Sequence, residues 1–339
     1  MQTIDLRSDT VTRPGAAMRA AMCDAAVGDD VYGDDPSVNR LQAGLAERLG
    51  FEAGLFFPSG TQSNLAALMA HCQRGDEYIV GQEAHTYRYE GGGAAVLGSI
   101  QPQPLANQAD GSIALADIEA AIKPNDVHYA RTRLIALENT IGGKVLPPAY
   151  VAEVVALARR RGLALHLDGA RLFNAAVKLG VTAADVCAGF DSVSVCLSKG
   201  LGAPVGSVLC GQRELIQSAT RWRKMLGGGM RQAGVLAAAG IYALEHHVAR
   251  LADDHRHAAV LAEGLAAIGE LRVEPVQTNI VYVHVPLERC AALQAHLAAH
   301  GVLVSIAAKT RLVTHLDVST EQIDIVLRLF ADFFASHGG

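Results

Sequence analysis

Lysine is scarce in this sequence. Among 339 residues only Lys123, Lys144, Lys178, Lys199, Lys224 and Lys309 occur, and Arg supplies most of the positive charge. No Lys/Arg block is present and the formal net charge is −5, so nothing in the charge pattern points to nucleic acid. No apolar run approaches the length that crosses a bilayer. The opening residues Met1–Arg7 hold no basic stretch followed by an apolar one, so neither a membrane span nor a secretory signal is expected. The six cysteines (Cys23, Cys72, Cys187, Cys196, Cys210 and Cys290) are scattered, with no C-x-x-C pair and no His partner at zinc spacing. Reduced thiols in a cytoplasmic protein are the expectation. No spacing of His and carboxylates is taken as a catalytic metal signature.

What is present suits a well-buried globular protein. Half of the residues are hydrophobic and 19% are charged. The length allows one large domain and a smaller one. Asp35-Pro36 reads as an N-cap with Pro at the first helical position, Val38, Leu41, Leu45 and Leu49 mark one apolar face, and Gly50 stops the helix. Leu55–Phe57 is a short apolar run before Pro58-Ser-Gly-Thr-Gln-Ser-Asn64, and a helix is predicted from Leu65 to Cys72. Strands are predicted at 78–80, 133–137, 163–167, 193–197 and 205–210, with a helix at 151–161. Alternation of this kind predicts an α/β domain with a largely parallel sheet, whose ligands gather beyond the carboxyl ends of the strands. From about Arg250 the texture changes to helix 251–268, strand 280–284, helix 290–299, strand 311–315 and helix 323–336, a compact α+β unit. The expected division is 1–245, an N-terminal segment with the large domain, and 246–339, the small one.

Five groups of residues could carry chemistry. Ser198-Lys199-Gly200-Leu-Gly202 places a Lys among small residues straight after an apolar strand. Burial disfavours the ammonium form and exposes a nucleophilic amine of the kind a Schiff base needs, although a Lys on a Gly-rich turn can equally be solvated. His166-Leu-Asp-Gly-Ala-Arg171 ends a strand with a carboxylate at Asp168. Such a carboxylate can hold a proton on a pyridine nitrogen, or simply pair with Arg171. Ser59-Gly60-Thr61-Gln-Ser63-Asn64 is a small polar loop at a helix start, fit for a phosphate or for capping alone. His85 and His128, in polar stretches, could stack on a ring or accept a proton. Arg231 and Arg311 could clamp a carboxylate or remain solvated.

Taken together these segments resemble the L-threonine aldolases, pyridoxal 5′-phosphate (PLP) enzymes of the aspartate-aminotransferase-like fold (fold type I), and the low-specificity bacterial branch most of all. The likeness runs in order through Asp5-Leu-Arg-Ser-Asp-Thr-Val-Thr-Arg-Pro14, Gly28-Asp-Asp-Val-Tyr-Gly-Asp-Asp-Pro36, Pro58–Asn64, Glu83-Ala-His85, Leu137-Glu-Asn-Thr140, His166–Arg171, Cys196–Gly206, Arg221–Met225, Gly229–Gln232 and Arg311–Asp317.

The resemblance implies a large domain with a mostly parallel seven-stranded sheet and a small α+β C-terminal domain. It implies PLP held as a Schiff base on Lys199, with Asp168 on the ring nitrogen and His85 stacked on the ring. It gives the phosphate to Gly60 and Thr61 with Arg231 of a neighbouring subunit, and gives Lys224 either the phosphate or the carboxylate. Ser8, Arg171 and Arg311 would take the substrate carboxylate. His128 with His85 would face the β-hydroxyl, and Tyr32 would reach across the subunit interface. The implied activity is cleavage of L-threonine and L-allo-threonine to glycine and acetaldehyde, in threonine catabolism and glycine formation. The implied assembly is a homotetramer, a dimer of dimers with shared sites. Glycine hydroxymethyl transfer, β-elimination and transamination on the same scaffold are the alternatives within enzymes. A catalytically dead binding protein is the alternative outside them, though Lys199 and Asp168 are both retained.

Overall fold

The computed structural model describes residues 3–337. Asp35 caps the first long helix, Pro36–Leu49, as its side chain accepts from the N–H groups of Ser37 and Val38. Gly50 ends that helix at φ +78°, a conformation that favours glycine. Val38, Leu41, Leu45 and Leu49 are all buried on one face. The helix predicted from Leu65 begins earlier and spans Gly60–His71. Its polar first turn hides the start from hydrophobic periodicity, but Ser59 caps it by accepting from Gln62 N–H at 3.2 Å.

Seven strands form the central sheet, in the spatial order Ala53–Phe57, Ser207–Gly211, Ser192–Cys196, Ala164–Asp168, Arg131–Glu138, Asp76–Gly81 and Gln101–Leu105. Asp76–Gly81 and Ser192–Cys196 are buried along their whole length, as strands covered on both faces must be. Only Ser207–Gly211 runs antiparallel to its neighbours. It follows Ser192–Cys196 after residues 197–206, too short a link, with no helix, for a parallel crossover. The parallel register sets Glu138 beside Asp168 and Asp168 beside Ser194, so polar side chains line up at the carboxyl edge.

A second core contains Leu261, Leu265, Val281, Leu293, Leu312, Phe330 and Phe333, under helices Leu251–Ala266, Cys290–Ala299 and Thr320–His337. Its antiparallel sheet has the order Lys309–Val313, Ile280–His284, Arg272–Val273. Ile4 and Leu6 also belong to this core, and the strand Ile4–Asp5 pairs in parallel with Val302–Leu303. Residues 4–6 therefore pack with the C-terminal unit, while Asp9 and Thr12 reach Arg171 and Lys199 of the large domain. Two residues of strand carry no readable periodicity, which is why the sequence left them with the first 245 residues.

Candidate active site

A cavity of about 800 Å³ opens beyond the carboxyl edge of the large sheet, between the two cores. Ser8, His85, Glu138, Arg171, Lys199 and Arg311 are among the residues that line it. Its volume lies in the range of small-molecule and cofactor sites.

Lys199 stands on the turn after Ser192–Cys196. The turn is pinned because the Lys199 carbonyl accepts from Gly202 N–H at 2.8 Å and from the Thr12 hydroxyl at 3.0 Å. The half-buried amine lies 3.5 Å from Cys196 Sγ, which in turn receives the Ser207 hydroxyl at 3.3 Å. Gly60 presses on the same sulfur, and a Cβ at that position would lie 2.7 Å from it. The start of helix Gly60–His71 and the Lys199 amine are thus close neighbours, and Thr61 is exposed on the first turn of that helix.

Asp168 ends its strand and is buried. Its two hydrogen-bond donors are neutral: Asn64 Nδ2 at 2.8 Å and the Ala170 N–H at 3.0 Å. A buried carboxylate held this way keeps its affinity for a cation. The charges of Asp168 and Lys199 both act on His85 and on Glu138.

His85 opens the short helix His85–Arg88 and is fixed at two points. Its backbone N–H donates to Glu138 Oε2 at 2.7 Å, and its Nδ1 pairs with Glu90 Oε1 at 2.8 Å. The hydrogen bond to Glu90 outweighs burial and raises the imidazole above its ordinary pKa. With Nδ1 committed to Glu90, the ring offers Nε2 as its free nitrogen. Burial raises Glu90, tempered by the His85 bond. Glu138 is partly buried beside Asp168, and burial first, then that like charge, push its carboxyl up to about 7. Ligand atoms of His85, Glu90 and Asp168 lie within 4.8 Å of one another. Asn64 Nδ2 aims its hydrogens at both carboxylates, however, so a donor occupies the place a cation would need.

Arg171 is gripped from behind. Asp9 accepts from its Nε at 2.8 Å and its Nη2 at 2.6 Å, and also from Asn279 Nδ2 at 3.2 Å. Burial alone would raise Asp9, but the guanidinium overrides it and holds the carboxyl at about 2. Nη1 of Arg171 takes no protein acceptor among the described residues, and the group lines the cavity with Ser8 and Arg311. Ser8 itself caps the turn Asp9–Val11.

Of the residues proposed from sequence, Ser8, His85, Arg171, Lys199 and Arg311 line the cavity, with Asp168 directly behind His85. Gly60 and Thr61 begin the adjoining helix. Four others lie away from it. His128 sits on a polar turn, 82% exposed, and its ring and backbone both bind Asp126. No apolar side chain anchors that turn, and Val127 beside it is wholly in solvent. Tyr32, 78% exposed, Lys224 and Arg231 gather elsewhere: Arg231 pairs with Asp29, its carbonyl accepts from Asp30 N–H, and Gly229 lies against both Lys224 and Val31.

Asp9, Asn64, Glu90 and Glu138 were missed. Glu138 carried the same signal as Asp168, a carboxylate at the end of a buried strand. Asp9 and Asn64 lay inside polar segments already singled out for other residues. Glu90 had no local signal, because its partners come from the far ends of other elements.

A mainly parallel seven-stranded sheet with one antiparallel strand next to its edge, a Lys after one strand, an Asp at the end of the next and a helix start near that Lys define a class: fold type I, the architecture of PLP-dependent enzymes. The solved threonine aldolase of Leishmania major shares this fold, with a TM-score of 0.82 over 97% of this chain and 99% of that one, at 22% identity. The chain belongs to the beta-eliminating lyase family, whose model matches residues 5–288. It is 56% identical over 332 residues to the low specificity L-threonine aldolase of Escherichia coli K12, covering 98% of this chain and 99% of that relative. It is 45% identical over 343 residues to low-specificity L-threonine aldolase 1 of Arabidopsis thaliana, covering 97% and 96%.

Proposed function

We propose that this protein is a PLP-dependent lyase that cleaves L-threonine and L-allo-threonine to glycine and acetaldehyde. The carrying observation is a pinned, half-buried Lys199 amine that lines the cavity, together with a buried Asp168 whose donors are neutral, set behind the cavity-lining His85. An amine, an acid and a helix N-terminus are the three groups PLP requires, for its aldehyde carbon, ring nitrogen and phosphate. When bound, PLP supplies a carbonyl that bonds amino groups and a protonated ring that accepts the electrons of a breaking bond.

The chain's own residues do the rest. Lys199 would hold the cofactor through its amine. Asp168 keeps the ring nitrogen charged. Gly60 and Thr61 hold the phosphate. Ser8, Arg171 and Arg311 hold the substrate carboxylate, which fixes rotation about the bond from nitrogen to Cα and sets Cα–Cβ as the bond that breaks. His85 faces the ring and takes the β-hydroxyl proton on Nε2, with Glu90 holding the tautomer. Acetaldehyde departs, and a proton returned to Cα gives glycine.

His85 is preferred to His128 as the base because it lines the cavity of its own chain. Tyr32, Lys224 and Arg231 serve the site of a second copy in a dimer of dimers. Their clustering beside exposed Val31, outside the cavity of their own chain, supports this. The unpaired cysteines support a reducing, cytoplasmic setting.

The test is spectroscopic. Purified protein with PLP should be yellow, and borohydride should fix the cofactor to Lys199, as read by peptide mass. A protein that gains no visible absorption with PLP would overturn the proposal.

A further inference from the structure

Two histidines inside the large domain, His166 and the half-buried His71, take no part in the chemistry above. His166 precedes Asp168 by two residues on the same strand, so their side chains leave the same face. The register sets it beside Ser192 of the next strand. Asn64 joins it to the site. Nδ2 of Asn64 donates to Asp168 Oδ2 at 2.8 Å and to Glu90 Oε1 at 2.9 Å, which leaves Oδ1 facing His166 Nε2 at 3.2 Å.

Each proton position then follows from the one before. An amide oxygen only accepts, so His166 carries its hydrogen on Nε2. Burial, and next the neighbouring His71, keep His166 neutral, with its pKa down to about 3. Its Nδ1 is therefore bare and accepts from Ser192 Oγ at 2.8 Å. The Ser192 oxygen accepts in turn from His71 Nε2 at 2.7 Å. Burial likewise lowers His71, to about 4, against the pull of Asp191. All donors run one way, from the end of helix Gly60–His71 to the carboxylate of Asp168. The ionisable groups facing this chain are His85 and Glu90 with Glu138 at the Asp168 end, and Asp191 at the other.

We propose that His71, Ser192, His166 and Asn64 form a directed relay of positioning residues that locks the Asn64 amide and so holds Asp168 as an ionised acceptor for the cofactor's ring nitrogen. The proposal rests on the PLP reading above. Each hydrogen bond polarises the next, and reversing the tautomer of His166 would set a bare nitrogen against the amide oxygen. The carboxylates of Asp168 and Glu90 take the Asn64 Nδ2, and among the described residues His166 is the hydrogen-bond partner of its Oδ1.

The test uses the full-length protein with and without PLP. Nitrogen-15 NMR of labelled histidines should find His166 and His71 neutral and Nε2-protonated from about pH 5 to 8. Ser192→Ala and His71→Leu should each weaken PLP binding about tenfold, the scale of losing one hydrogen bond of the relay. Both should move the pH at which the visible band titrates, and lower kcat with KM for L-threonine unchanged. His71→Gln, which keeps an N–H within reach of Ser192, should restore the parent values. A Nδ1-protonated His166 would overturn the relay. So would parent-like PLP affinity and band titration in both Ser192→Ala and His71→Leu, or a His71→Gln as defective as His71→Leu. If the parent protein itself takes up no PLP, the cofactor reading fails and the relay's role with it. If the parent binds PLP and the variants match it, only the relay fails.

Discussion

Replacing Asp9 by Asn removes the one carboxylate that grips Arg171. The pair is buried, with Arg171 side-chain exposure at 11% and Asp9 at none, and its two bonds are 2.6 and 2.8 Å long. At about 4 Å between charge centres the attraction is about 4 kcal/mol in an effective dielectric near 20. Breaking such a pair typically costs about 3–5 kcal/mol, because the remaining charge stays buried. The shift of Asp9 from 3.8 to about 2 corresponds to about 2 kcal/mol of this. A loss near 3 kcal/mol is therefore expected in urea unfolding at neutral pH, followed by circular dichroism. The sign with pH is fixed by the lowered folded-state pKa. The contribution is present above 3.8 and is lost as pH falls through about 2, so parent and variant should converge at the acid end. Because Arg171 also loses its aim, KM for L-threonine should rise about tenfold with a smaller change in kcat. A stability loss under about 1 kcal/mol with unchanged KM would refute the reasoning.

Further outcomes follow from the same geometry. Lys199→Ala should abolish turnover and leave any bound PLP unattached after borohydride, as read by mass. Glu90→Gln should lower the pKa of His85, since Glu90 is what raises it; a base works only when deprotonated, so the acid limb of the kcat profile should move to lower pH. Glu138 protonates on falling through about 7, and Glu138→Gln should remove any limb of the profile near that pH while leaving the Glu90-dependent limb in place. Mixing inactive Lys199→Ala with inactive Arg231→Ala should restore up to about a quarter of parent activity if copies share sites, and none if they do not.

The sheet was legible because buried parallel strands are continuous apolar runs, and Leu163–Leu167 and Val193–Leu197 stand out as such. Lys199 and Asp168 were legible for the same reason, as polar residues directly after those runs. The helix start at Gly60 was obscured by its polar first turn, whose Ser63 and Asn64 are buried by tertiary contacts no periodicity reveals. Asp9 is paired with a residue 162 positions away, and Glu90 with Asn64 and His85 through folds of the chain. Such partners exist only once the strands are in register. His128 shows the converse, a polar stretch that promised a site and lies in solvent on its own chain.

The most direct measurement is product analysis with PLP-loaded protein and pure L-threonine or L-allo-threonine, each run beside Lys199→Ala. Glycine and acetaldehyde should appear in equal amounts from both substrates with the parent protein and from neither with the variant. Formation of 2-oxobutanoate and ammonia in place of glycine would contradict Cα–Cβ cleavage at this site.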